Sequence, residues 1–76
     1  MKAMTDAQFA AATRGIAKAI LDLGERLALS DDDLCNMAGA AMLEVAGQKL
    51  GPFGAVERMR SIADQCERQI FEDMQG

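Results

Sequence analysis

Residues 28–34 read ALSDDDL and mark the boundary between two predicted helices. Ser30 is a good helix N-cap, because its hydroxyl can accept a hydrogen bond from a free backbone N–H of the first turn. The three aspartates that follow it lie where the helix dipole favours negative charge. Leu29 and Leu34 can pack on each other across the cap. We therefore expect a helix to begin at Asp31, directly after a very short joint.

Capping and breaking residues divide the rest of the chain. Thr5 and Gln8 have the spacing of a capping box, in which each side chain bonds the backbone N–H of the other residue. Gly51 is a typical helix terminator, and Pro52 is a typical first helical residue. Alanine occurs 14 times and β-branched residues are scarce, which favours helix over strand. The prediction is an all-α three-helix bundle, or helical array with short loops, with helices over about 5–28, 31–50 and 53–74.

The chain is small for a folded monomer. It has 76 residues, of which 50% are hydrophobic and 26% are charged, and its net charge is −4. Such a length supports one hydrophobic core, so residues 1–76 are predicted to form a single helical domain. In so short a chain, the free energy gained from apolar burial barely balances the loss of conformational entropy. Self-association as a homodimer is therefore expected.

The composition lacks the usual catalytic and metal-binding residues. The chain has no histidine, and its two cysteines, Cys35 and Cys66, lie in helical patterns. A four-ligand zinc site or a Cys–His pair cannot be built from these residues within one chain. A calcium loop starting at Asp31 would need a glutamate at its twelfth position, which is Met42. We expect no enzyme activity and no catalytic, cofactor-binding or metal-binding residues, and we interpret both cysteines as structural thiols.

Hydropathy and charge indicate in which compartment the protein resides and which classes of partner it binds. The longest stretch without a polar side chain is residues 37–43, whereas a membrane span needs about 20 residues. Two cysteines are too few for the disulfide framework of a small secreted domain. The summed charge is +1 for residues 1–29, −3 for 30–51 and −2 for 52–76, whereas nucleic-acid binders usually carry a basic face. We predict a cytoplasmic protein that binds neither membranes nor nucleic acid directly.

The apolar faces of the predicted helices indicate their contacts. On the first helix, Phe9, Ile16 and Leu23 form a seam predicted to face the core, and a second stripe of small residues could admit another helix. The second helix has an apolar arc of about 200°, which leaves only a narrow polar strip. Phe71 lies among charged residues, which is typical of an interface. The predicted interface comprises Ala10, Ala17, Leu21, Gly24, Met42, Leu43 and Phe71.

These features predict a small, non-enzymatic, dimeric helical protein with an interaction or regulatory role. It would present an apolar helix surface to a second copy of itself, to a protein partner, or to both. An alternative of a different class is an acidic phage-type inhibitor that occupies the nucleic-acid-binding site of a partner machine. Its carboxylates would take the place of phosphates, and the contacts would be Asp31, Asp32, Asp33 and Glu44.

The length, acidity and helix content resemble those of acyl carrier proteins. Those proteins carry a phosphopantetheine on a serine, within an Asp-Ser-Leu motif, at the start of their second helix. The serine at that place here is Ser30, which is followed by Asp31 instead of leucine. The motif is therefore not matched, and the Ser30 hydroxyl is needed as a helix cap.

Overall fold

The computed structural model describes residues 3–75, and nearly all of this part of the chain is helical. It contains two helices, α1 (Asp6–Arg26) and α2 (Asp31–Gln75). No β-strand occurs between residues 3 and 75. The predicted all-α class is therefore confirmed.

Both helices begin with the caps that the sequence predicts. The Thr5 backbone N–H donates to Gln8 Oε1 at 2.9 Å, and the Gln8 N–H donates to Thr5 Oγ1 at 3.1 Å, which completes a capping box. At the start of α2, the Asp33 N–H donates to Ser30 Oγ at 3.2 Å. These bonds satisfy backbone donors that have no partner within their own helix.

The joint between α1 and α2 is a Schellman turn without its usual glycine. The Leu29 N–H donates to the Gly24 carbonyl at 3.0 Å, and the Ala28 N–H donates to the Glu25 carbonyl at 3.1 Å. This pair of bonds requires a left-handed residue directly after the helix cap. Ala28 takes that conformation, with φ of 52°. Its Cβ crowds the backbone there, so the turn is less stable than the same turn with glycine.

Replacing Ala28 by glycine should therefore stabilise the protein by about 0.5–1 kcal/mol, because glycine adopts a positive φ without steric cost. Equilibrium urea unfolding at one protein concentration measures this gain. Ala11→Gly is the matched control, because Ala11 is an exposed residue inside α1. There the same substitution should cost about 1 kcal/mol. A loss of stability in both variants would contradict the left-handed conformation of Ala28.

The helix α2 continues where the sequence predicts a loop between two helices. Its backbone departs from helical geometry at Gly51, with φ of 75° and ψ of 168°. Pro52 causes this break, because proline disfavours the α conformation of the preceding residue and has no N–H to donate. Proline is tolerated in the first turn of a helix, so helical backbone resumes at once. The structure therefore gives no support for a three-helix bundle with a separate third helix.

The described chain divides into two compact units between Ala38 and Gly39. The first unit is a helical hairpin of α1 and the opening turns of α2, in which Leu34 contacts Gly24. A Cβ at Gly24 would lie 2.7 Å from Leu34 Cδ1, so the missing side chain permits this close approach. The second unit is the rest of α2, in which Ala55 is fully buried.

Residues 3–75 bury very little apolar side-chain surface. Gly24 and Ala55 are the buried residues of the two helices, and no large side chain in this part is fully buried. Phe9 and Ile16, which the sequence places on the core face of α1, are each 64% exposed. In the hairpin, α1 meets α2 through Gly24, about 80° around the helix from the centre of the Phe9, Ile16 and Leu23 seam. The prediction that Phe9 and Ile16 lie against a core is therefore wrong, because the closest approach of α2 requires a residue without a side chain.

Candidate functional site

An open apolar hollow lies in the first unit, between α1 and the start of α2. Its volume is about 260 Å³, whereas an apolar cavity of about 150 Å³ already holds a benzene ring. The lining residues are Ala17, Ile20, Leu21, Leu34, Cys35 and Ala38. None of them has a charged side chain. The hollow is therefore suited to an apolar side chain, and it offers no group for acid, base or nucleophilic chemistry other than the Cys35 thiol.

Helix periodicity and one close contact position the lining residues. On α1, Ala17 and Leu21 are four residues apart and therefore share a face. On α2, Leu34 and Ala38 have the same spacing. The contact of Leu34 with Gly24 holds the two helices together at the end of the hollow next to the joint. The walls of the hollow are thus fixed by backbone geometry and by one glycine.

The lining side chains differ in size and exposure. Leu21 is 57% exposed, so more than half of this large apolar side chain is open to solvent at the edge of the hollow. The small residues Ala17 and Ala38 lie beside it, and Ala38 is half-buried. One patch therefore contains both a projecting side chain and a depression.

The structure brings together some of the predicted interface residues. Ala17 and Leu21 line the hollow, and Gly24 lies buried against Leu34 of the same chain. As the small size of Gly24 suggested, another helix packs closely against it. That helix is α2 of the same chain. Ala10 is half-buried and does not line the hollow.

The other predicted interface residues belong to the second unit and do not line the hollow. Met42, Leu43 and Phe71 are all exposed. Phe53 is exposed further still, at 87%, although it was not among the predicted contacts. Apolar surface is thus available on both units.

Four residues of the hollow are not among the predicted interface residues, namely Ile20, Leu34, Cys35 and Ala38. Leu34, Cys35 and Ala38 lie in the apolar arc of the second predicted helix. Helix periodicity therefore predicts that they make contacts, but it does not identify the residues that they contact. The additional signal was Gly24. A glycine inside an amphipathic helix can mark the point where another backbone approaches closely, and it identifies the face of α1 that meets α2.

The acidic residues proposed for the alternative function are all exposed, namely Asp31, Asp32, Asp33 and Glu44. Within residues 3–75, no three histidine, cysteine, aspartate or glutamate side chains cluster so as to hold a metal ion. Both cysteines are exposed and free. The thiol of Cys35 therefore lies at an accessible apolar surface, whereas the sequence had indicated a structural position.

None of the helices in the described part of the chain is both long enough and apolar enough to cross a membrane. Comparison with known proteins gave no match to a family model, a curated protein or a solved structure. The functional argument therefore depends on the geometry of the chain itself.

Proposed function

We propose that this protein is a small, non-enzymatic helical interaction or regulatory protein that works as a homodimer. The supporting observation is the exposure of 16 large hydrophobic side chains, while Ala55 is the one hydrophobic residue buried in the described chain. Single exposed apolar residues are ordinary on a protein surface. An apolar surface of this extent marks a site of protein contact or a liability to aggregate.

The exposed area has the size that a dimer would cover. The chain has 6797 Å² of accessible surface, whereas a folded monomer of this mass usually exposes about 4,500 Å². The excess is about 2,300 Å² per chain. An obligate dimer buries about 2,000–5,000 Å² in total, or half of that on each chain. One further copy is therefore sufficient to cover the excess.

The chemistry of the hollow supports a contact function over catalysis. A catalytic site needs polar or titratable groups that converge in a cleft. The hollow is lined by aliphatic side chains and one cysteine. The two free thiols also fit a reducing compartment, and we place the protein in the cytoplasm on that basis.

The proposal predicts that stability depends on protein concentration. If folding and dimerisation are coupled, mass action raises the thermal midpoint as the concentration increases. Circular dichroism at 222 nm, recorded over a wide range of concentrations, measures this shift. A midpoint that stays constant over the whole range would contradict the proposal. The variant Phe71→Ser should lower the midpoint and leave the helix content unchanged, because Phe71 is one of the predicted interface residues and is exposed in the single chain.

A further inference from the structure

We infer that the apolar hollow of the first unit is the twofold contact of the dimer, so that Leu21 of each chain enters the hollow of the other. This inference rests on the proposed function, and it adds the surface and the occupant. The occupant is a second copy of this chain. The argument depends on the shape of the patch, on its charge and on the area that must be covered.

The patch is self-complementary in shape. A twofold interface places the same surface of both copies in contact, so one patch must supply both the projecting group and its receptor. Leu21 projects from α1 and is 57% exposed. The depression beside it is bordered by the small residues Ala17 and Ala38 and has room for an aliphatic side chain. Two copies can therefore exchange their Leu21 side chains.

The charges around the hollow are compatible with a contact between two copies. Each chain has a net charge of −4, so two copies repel each other unless their contact surface is neutral. The lining residues carry no charge. One helical turn from the lining residues of α1 lie Arg14, three residues before Ala17, and Glu25, four residues after Leu21, and these two have opposite charges. Lys18 and Asp22 are paired with each other at 3.4 Å.

Charge also selects the orientation of the two hairpins. The three aspartates at the start of α2 lie at the end of the hairpin next to the joint, directly before Leu34. A twofold axis that lies in the interface and is perpendicular to the helices places the two joints at opposite ends of the interface. In that arrangement the aspartates of the two copies stay apart, whereas a parallel arrangement would bring them together. We therefore assign the antiparallel arrangement.

The accessible surface in excess of that of a typical monomer favours a second copy of the chain as the molecule that binds at the hollow. The excess surface, about 2,300 Å² for the whole chain, is far larger than the hollow and has the size of a protein interface. A single apolar peptide side chain would fill the hollow and leave most of that area in water. A twofold contact centred on the hollow covers the hollow and the neighbouring helix surface in one step.

The test is a matched pair of substitutions on α1. Ala17 and Ala11 are both exposed alanines inside this helix, and only Ala17 lines the hollow. Ala17→Glu and Ala11→Glu change the net charge equally and keep a good helix former at the substituted position. Ala17→Glu should raise the dimer dissociation constant by about tenfold or more, because it places an unpaired carboxylate in an apolar contact. Ala11→Glu should leave the constant nearly unchanged, as measured by sedimentation equilibrium.

A second measurement uses the Cys35 thiol as a reporter. In the variant Cys66→Ser, Cys35 is the remaining thiol, and its rate of alkylation by a maleimide should fall as the protein concentration passes through the dimerisation range. With Ala17→Glu added, the rate should stay high at every concentration. The alkylation rate reports the burial of Cys35 without a measurement of the dissociation constant. Circular dichroism is the control that each variant keeps its helix content.

The outcomes separate this inference from the proposed function. A monomeric wild-type protein would overturn both. A wild-type dimer that Ala17→Glu leaves intact, with Cys35 equally reactive at all concentrations, would overturn the hollow as the contact and would keep the homodimer. Equal weakening by Ala17→Glu and Ala11→Glu would indicate general charge repulsion and would also overturn the hollow.

Discussion

Gly51→Ala should destabilise the protein by about 1–3 kcal/mol, because the backbone at Gly51 lies in a region that only glycine populates readily. The φ of 75° and ψ of 168° would bring an alanine Cβ against its own backbone. No neighbouring side chain lies within 4 Å of the added Cβ, so the cost is one of backbone conformation and not of packing. Urea unfolding at one protein concentration measures it.

Gly47→Ala is the control for this substitution. Gly47 lies in a helical part of α2, and its added Cβ would also meet nothing within 4 Å. There alanine should raise the stability by up to about 1 kcal/mol, because it is the better helix former. The same substitution four residues apart should thus have opposite effects. Similar gains at both positions would contradict the break in α2.

A rescue variant tests the cause of the break. If Pro52 prevents the residue at 51 from being helical, then Gly51→Ala combined with Pro52→Ala should recover the stability lost by the single substitution. The double variant should also show at least as much helix by circular dichroism as the wild type. Failure to recover would indicate that the break has a cause other than the proline.

Gly24→Leu should have the second large effect, a loss of about 1–3 kcal/mol from overpacking. A Cβ at Gly24 would lie 2.7 Å from Leu34 Cδ1 and 3.1 Å from Leu34 Cδ2, so even the first carbon requires Leu34 to move. A whole leucine side chain would push α2 away from α1. The hairpin would lose the contact that positions both walls of the hollow, and dimerisation should weaken with it.

Gly15→Leu is the control for Gly24→Leu. Gly15 lies in the same helix, and an added Cβ there would meet nothing within 4 Å. Leucine should stabilise the helix at that position by up to about 1 kcal/mol. Adding Leu34→Ala to Gly24→Leu should restore part of the loss, because the new leucine can occupy the space that Leu34 leaves. If Gly24→Leu is as stable as Gly15→Leu, the close contact in the hairpin is wrong.

The helix starts could be predicted because their chemistry is local. A capping box needs only Thr5 and Gln8 at the right spacing, and the cap of α2 needs only Ser30 and the backbone N–H of the next turn. The sequence also indicates the break at Gly51. What the sequence did not show is that helical backbone resumes after a single residue, since a Gly–Pro pair is compatible with both a loop and a kink.

The hollow could be predicted only in part, because it depends on a contact between residues far apart in the chain. Periodicity favoured the large side chains of α1 as its packing face, with Phe9 and Ile16 at its centre. The contact of Gly24 with Leu34 decides the face instead, and spacing within one helix cannot reveal which residue of another helix approaches it. Once that contact is known, the positions of Ile20 and Cys35 in the hollow follow from helix geometry.

The central claim is that a second copy covers the apolar surface of this chain. Sedimentation equilibrium of the wild-type protein at several concentrations tests it most directly. We predict a mass that rises with concentration to twice the 8.1 kDa of one chain. A mass of 8.1 kDa at every concentration, with the helix content retained, would contradict the claim.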